Sequence, residues 1–390
     1  MSAEVDITVV GAGVIGCAIA RELGKAGREI FVIEQNPGIT RGENQSSRNS
    51  GVIHAGLYYD RGTRPQKARL CAQGNHLLYR FCEEHGVPYR QTGKLIVAGN
   101  DEETAVLDIY RQRAVQNGVP VQMVTGDKVR ELEPCVRAAA ALLLPTSGII
   151  NPTILVHRLH LSATAEGVRF LTETRVRGVK SGHESLEVEI EYRDGARDTF
   201  LTKLLINAAG LYADEVARLV HPDSDYLIDP VRSETVKFYR TGRDDLMLRR
   251  MNVYPAPRQY TSPRGTYFSV GVHLTPTLIT DNAGESTLGP EVTVGPLSRP
   301  AKHREEYGGP YQPDNVFINQ VRSFFPGLRK EDLMPHQTGI QARLAGHQDW
   351  VIDFSQGDRR CLNLLGIDSP GLTGCLAIAQ RVGKMVLKIN

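Results

Sequence analysis

A glycine turn joins the first apolar strand of this chain to its first helix, and few folds accommodate that order. Asp6-Ile7-Thr8-Val9-Val10 is a β-branched run of the kind that suits a strand buried on both faces. Gly11-Ala12-Gly13-Val14-Ile15-Gly16 follows at once, and Cys17, Ala20 and Leu23 then repeat at helical spacing. Gly24 and Gly27 loosen the helix end, and Glu29-Ile30-Phe31-Val32-Ile33 makes a second strand that ends on Glu34. Gly11 permits the tight turn, Gly13 lets backbone N–H groups approach a pyrophosphate, and Gly16 lets the helix close on the sheet. Glu34 then stands where a carboxylate accepts hydrogen bonds from the adenosine ribose, and its charge disfavours a 2′-phosphate. The order predicts a Rossmann-like, dinucleotide-binding α/β unit. No second G-x-G-x-x-G occurs in the sequence, which argues against a separate NAD(P)H domain.

With 390 residues the chain is long enough for a second domain. Its 46 lysines and arginines against 44 acids leave a formal charge of +2, so no nucleic-acid partner is expected. No apolar run is long enough to span a bilayer. The nucleotide fold begins within five residues, which predicts no signal or transit peptide. Cys17, Cys71, Cys82, Cys135, Cys361 and Cys375 include no C-x-x-C pair. A reducing, cytoplasmic location is therefore expected, with no metal site and no redox disulfide, while peripheral membrane contact stays open.

The polar stretch after Glu34-Gln35 is the next informative one. Ser46-Ser47-Arg48-Asn49-Ser50-Gly51-Val52-Ile53-His54-Ala55-Gly56-Leu57-Tyr58-Tyr59 offers small hydroxyl and amide groups to a ring or phosphate, then a histidine. Together with Gly11 to Gly16 and Glu34, it resembles the FAD-dependent L-2-hydroxyglutarate dehydrogenase/oxidase family, within the D-amino-acid-oxidase-like flavoproteins. Further matches are Lys67-Ala68-Arg69-Leu70-Cys71, Thr92-Gly93-Lys94-Leu95-Ile96-Val97-Ala98, Val253-Tyr254-Pro255-Ala256-Pro257 and Gly271-Val272-His273-Leu274-Thr275-Pro276. The similarity covers most of the chain and weakens at about 220–252 and 291–317.

The resemblance implies a discontinuous FAD-binding domain, expected at 1–90, 148–220 and 335–390. An α+β substrate domain with a mixed or antiparallel sheet is expected at 91–147 and 221–334. FAD, bound non-covalently, would touch Gly11, Gly13, Val14, Ile15, Gly16, Glu34, Gln35, Ser46, Ser47, Asn49, Ser50, Gly51 and Val52. It would also touch the Val176 backbone beside the adenine, Ala208-Ala209-Gly210, Gly339, and Pro370-Gly371-Leu372-Thr373. These last four residues open a helix whose dipole would face the flavin's N1–C2=O edge.

Several local readings accompany this frame. Helices are expected at 104–117, 127–133 and from Pro152 to about Ala165. Strands are expected at 170–179, 187–192, 199–206, 232–239, 252–257 and 267–275. Residues 277–311, rich in proline, glycine and charge, read as loop, with Lys302-His303-Arg304 a solvated face.

The implied reaction is oxidation of an L-2-hydroxy acid, with L-2-hydroxyglutarate the best guess, by hydride transfer to flavin N5. His54 is the candidate base, His273 its alternate or a hydrogen-bonding partner, and Tyr59 and Tyr254 supply hydroxyls. Gln341 stands where the family usually has the arginine that clamps a substrate carboxylate, and Arg343 lies two residues on, on the same strand face. That departure leaves open other FAD oxidoreductases of the superfamily, such as a glycerol-3-phosphate dehydrogenase or an amino-acid oxidase, and a non-catalytic flavin-bound assembly subunit. The electron acceptor (oxygen, a quinone or an electron-transfer flavoprotein) is unassigned.

Overall fold

The computed structural model describes residues 4–42, 44–262, 265–281 and 284–387; the side chains of 259–269 are not described. The opening motif folds as its sequence demands: strand β1 (Glu4–Val10), helix α1 (Val14–Gly24) and strand β2 (Ile30–Ile33). Parallel pairing of β1 with β2 and with Arg197–Asn207 buries β1 at the centre of an eight-stranded mixed sheet. The strands expected at 187–192 and 199–206 form an antiparallel hairpin, Leu186–Tyr192 with Arg197–Asn207. One apolar core joins this sheet to α1, to helix α2 (Pro65–His85), to Pro152–Ala165 and to the C-terminal helix Gly371–Val386.

A second eight-stranded sheet runs in the order Met334–Leu344, Ile228–Tyr239, Ser286–Pro300, His273–Thr280, Asn252–Pro255, Lys94–Ala98, Ala140–Leu144, Gln122–Thr125. Its inner face carries Leu95, Val236, Phe238, Val253, Val292 and Val294, which pack against Phe317, Val321 and Phe325 of a separate core. A small sheet of Val52–Ile53, Gly148–Ile150 and Tyr89–Arg90 completes the strand layout near the residue-54 loop.

Four expectations need correction. The strand read at 170–179 is two, Arg169–Leu171 on β2 and Thr174–Ser181 on the outer hairpin, broken at Glu173, whose φ is 53°. The strand read at 267–275 also divides, into Gly265–Ser269 and His273–Thr280, around Gly271 at φ 61°. The stretch read as loop at 277–311 contains the longest strand among the described residues, Ser286–Pro300, paired on both sides. Its glycines and prolines mimic loop composition, but Val292 and Val294 alternate into the core and the ladder absorbs the rest as register shifts. Finally, the boundary expected at 335 does not follow the sheets. Met334–Leu344 pairs with Ile228–Tyr239 in the second sheet, because its buried residues Ile340, Ala342 and Leu344 complete a core with Ile228.

Candidate functional site

Between the two sheets lies a cleft of about 2100 Å³, larger than a site for one small molecule needs. Its floor is backbone. Gly11, at φ 99°, leaves no room for a side chain: a Cβ there would stand 2.6 Å from Ala208 O. A Cβ on Gly16 would fall 1.8 Å from Gly11 O, and one on Gly339 2.3 Å from Arg48 O. Gly13 gives α1 no side-chain cap, and among the described residues only Val14 N–H of the first turn is taken, by Ser46 Oγ at 2.9 Å. The helix end therefore keeps backbone donors facing the cleft, as an anionic ligand requires. Glu34, 9% exposed, accepts from Ala12 N–H at 2.7 Å and Asn36 N–H at 2.8 Å, which fixes its carboxylate at the strand end.

Most of the expected cofactor residues meet here. Gly11, Gly13, Val14, Ile15, Glu34, Gln35, Ser46, Asn49, Ser50, Gly51, Val52, Ala208, Ala209, Gly210, Gly339, Pro370, Gly371 and Leu372 line the cleft. Four do not. Gly16 lies beneath the turn, and Ser47 donates its N–H to Asn44 Oδ1 at 3.0 Å within the loop. Val176 packs with Val10, Ile33 and Ile190, while its neighbour Arg175 faces the cleft. Thr373 is buried and holds the loop: its Oγ1 accepts from His54 N–H at 3.0 Å. Cys361 and Cys375 lie outside the lining, and burial pushes both thiols up to about 12, which suits packing rather than attachment to a cofactor.

The reacting end carries two imidazoles. His54 Nε2 lies 3.4 Å from Ser369 Oγ, and its Nδ1 is buried with no hydrogen-bond partner among the described residues. Burial, with Lys94 and His273 nearby, holds its pKa well below the ordinary histidine value. His273 Nδ1 is 3.1 Å from Gly271 O, a contact that assigns the ring proton to Nδ1 and leaves Nε2 as an acceptor. Its ring stacks on Tyr254 at 3.7 Å and 19°, and burial first, then Lys94, pulls it down to about 3. Both imidazoles are thus neutral at neutral pH. Tyr59 lines the same end and is buried.

Gln341 lines the cleft. Its Nε2 donates to Ser233 Oγ at 2.8 Å, so the amide is part of the wall. Arg343 shares the cleft face as expected; it is 46% exposed on its side chain and 4.0 Å from Asp368. Residues that sequence reasoning passed over gather beside it. Lys67 is ion-paired to Asp368 at 2.8 Å, and Arg64 lines the cleft with no side-chain partner among the described residues, its Nε buried. The only sequence signal for Arg64 is an extra cation just before a helix that opens on proline. Arg304, expected on a solvated face, instead grips the fully buried Asp214 through two hydrogen bonds of 2.8 Å, because a carboxylate buried at that depth requires a cation.

The FAD dependent oxidoreductase (DAO) family model matches residues 6–385. L-2-hydroxyglutarate dehydrogenase of Caenorhabditis elegans is 32% identical over 97% of this chain and 92% of its own length. The mitochondrial enzyme of that name from Arabidopsis thaliana is 29% identical, covering 99% of this chain and 84% of its own. Among solved structures, an L-α-glycerophosphate oxidase from Mycoplasma pneumoniae with FAD bound superposes with a TM-score of 0.83 at 25% identity, over 98% of this chain and 95% of that one.

Proposed function

This chain belongs to the DAO family of FAD dependent oxidoreductases, and on that premise we propose that it oxidises an L-2-hydroxy acid, L-2-hydroxyglutarate first among them, to the 2-oxo acid. The observation that carries the reading is the near full-length match to two enzymes named for that substrate. The cleft fits FAD: the glycine floor, the α1 end with its free donors and the fixed Glu34 carboxylate suit a dinucleotide. When bound, FAD supplies the hydride acceptor.

The protein's own part is positioning and proton transfer. His54, neutral and with an unpartnered Nδ1, takes the proton from the substrate hydroxyl. His273, through Nε2, orients that hydroxyl, its own ring fixed by Gly271 and Tyr254. Arg343 and Arg64 hold carboxylate in place of the arginine absent at Gln341, each by a charge-assisted fork. Tyr59 closes the wall beside Asp368 and Ser369. The electron acceptor is oxygen, a quinone or an electron-transfer flavoprotein. Six free cysteines, all buried but the part-exposed Cys135, support a reducing compartment such as the cytoplasm, and no described helix is long and apolar enough to cross a membrane.

The test is anaerobic mixing of the yellow protein with L-2-hydroxyglutarate while flavin absorbance is followed. Rapid bleaching, with the D enantiomer inert, is expected. A flavin that stays oxidised there but bleaches with glycerol 3-phosphate would replace the reading by the one that the glycerophosphate oxidase likeness favours. Bleaching by an amino acid with ammonia release would replace it by amine oxidation.

A further inference from the structure

Behind the two imidazoles lies a charge that the proposed reaction does not use. Lys94 opens the Lys94–Ala98 strand between Asn252–Pro255 and Ala140–Leu144, and it is 1% exposed. Among the described residues it has no ion pair and no side-chain hydrogen bond. Its ammonium lies 3.7 Å from the centroid of the Tyr254 ring and 5.8 Å from that of Tyr58. Tyr254 in turn stacks on His273 at 3.7 Å. The order from core to cleft is therefore cation, aromatic ring, imidazole: Tyr254 and His273 line the cleft, and Lys94 does not.

A buried ammonium without a carboxylate is costly, and a methionine would fill the same space without that penalty. Aromatic faces compensate in part. The titratable groups in its field come from four directions: Tyr58 and His54 in the loop after Val52–Ile53, Cys71 on α2, Tyr254 on Asn252–Pro255, and His273 on the next strand. None is a carboxylate. What the ammonium meets is the Tyr254 ring, with His273 stacked on that ring and His54 within its field.

We propose that Lys94 is a positioning residue whose ammonium adds to burial in opposing protonation of His54 and His273 and holds Tyr254 against His273, so that His54 remains a base further into acid than burial alone would keep it. The proposal rests on the reading of His54 as the proton acceptor. Burial brings Lys94 down to about 7, so its charge is fully developed only below neutrality. That is the range in which an unperturbed imidazole, with a pKa of about 6.5, would itself take a proton. Above neutrality the ammonium fades, where the imidazoles are neutral without it. The device thus acts on the acid limb alone.

The test compares holoenzyme with Lys94→Met and Lys94→Arg in two measurements. One is the pH profile of anaerobic flavin reduction; the other is the NMR titration of the His54 and His273 ring protons, assigned by difference against His54→Gln and His273→Gln. In Lys94→Met the acid limb and both titrations should move up by about one pH unit or more, and Lys94→Arg should restore them toward wild type. A flavin-loaded Met variant whose limb and titrations coincide with wild type overturns the proposal. Should neither Met nor Arg fold, Lys94→Gln, neutral and polar, carries the same comparison. If no hydroxy acid reduces the wild-type flavin, the functional reading falls, and the imidazole titrations still decide the role of Lys94.

Discussion

The two sides of the cleft are built by opposite rules. The nucleotide side is made of backbone held too close for side chains: Gly11 against Ala208, Gly16 against Gly11, Gly339 against Arg48. The reacting side is made of side chains brought from distant strands and loops, with His54, Tyr254, His273 and Arg343 around one space and Lys94 against the Tyr254 ring. A backbone surface tolerates almost no substitution but recognises only what is common to dinucleotides. A side-chain surface tolerates substitution residue by residue, and each change alters which molecule is turned over rather than whether the fold exists.

That contrast sets a ranking of effects. Gly16→Val should be the most damaging, since a Cβ 1.8 Å from Gly11 O displaces the turn itself. Purified variant protein should carry no flavin absorbance, and stoichiometric flavin in it would break the comparison outright. His54→Ala comes next: flavin content should match wild type, while the rate of reduction by L-2-hydroxyglutarate falls roughly 10²–10⁴-fold in stopped flow. An unchanged rate would remove His54 from the chemistry and sharpen the case for His273. The smallest effect belongs to Arg64→Ala, which should raise KM by about 10–100-fold with kcat little changed, the signature of uniform binding lost. A fall in kcat at constant KM would instead place Arg64 in the transition state.

Legibility in the sequence follows the same division. The nucleotide side is legible because its constraints fall on contiguous residues: strand, Gly11 to Gly16, helix, strand and Glu34 can be read within one short window. The reacting side is not contiguous: His54 fell within the polar stretch after Glu34, whereas His273 stood out largely through a family likeness. Lys94 sits in a stretch that carried the likeness, yet nothing local says that its ammonium ends on Tyr254, which lies far along the chain. Arg304 reads as solvated because its neighbours are charged; its partner Asp214 is 90 residues away. The long strand Ser286–Pro300 hides behind Gly289-Pro290 and Gly295-Pro296, whose loop-like chemistry is spent on ladder irregularities. Gln341 was legible as a departure, but its use as a donor to Ser233 in the wall was not.

The hydrogen bond from His54 N–H to Thr373 Oγ1 spans 319 positions of chain. At the usual pace of synthesis, about 5–20 residues per second, the loop that carries the imidazole waits on the order of half a minute for the hydroxyl that fixes it. For nearly half of that interval β1 also lacks its Arg197–Asn207 neighbour, leaving an apolar edge unpaired. The glycine motif, made before the Thr373 segment, therefore becomes usable only after that segment is in place. Stable cofactor loading then waits on the segment that carries Thr373.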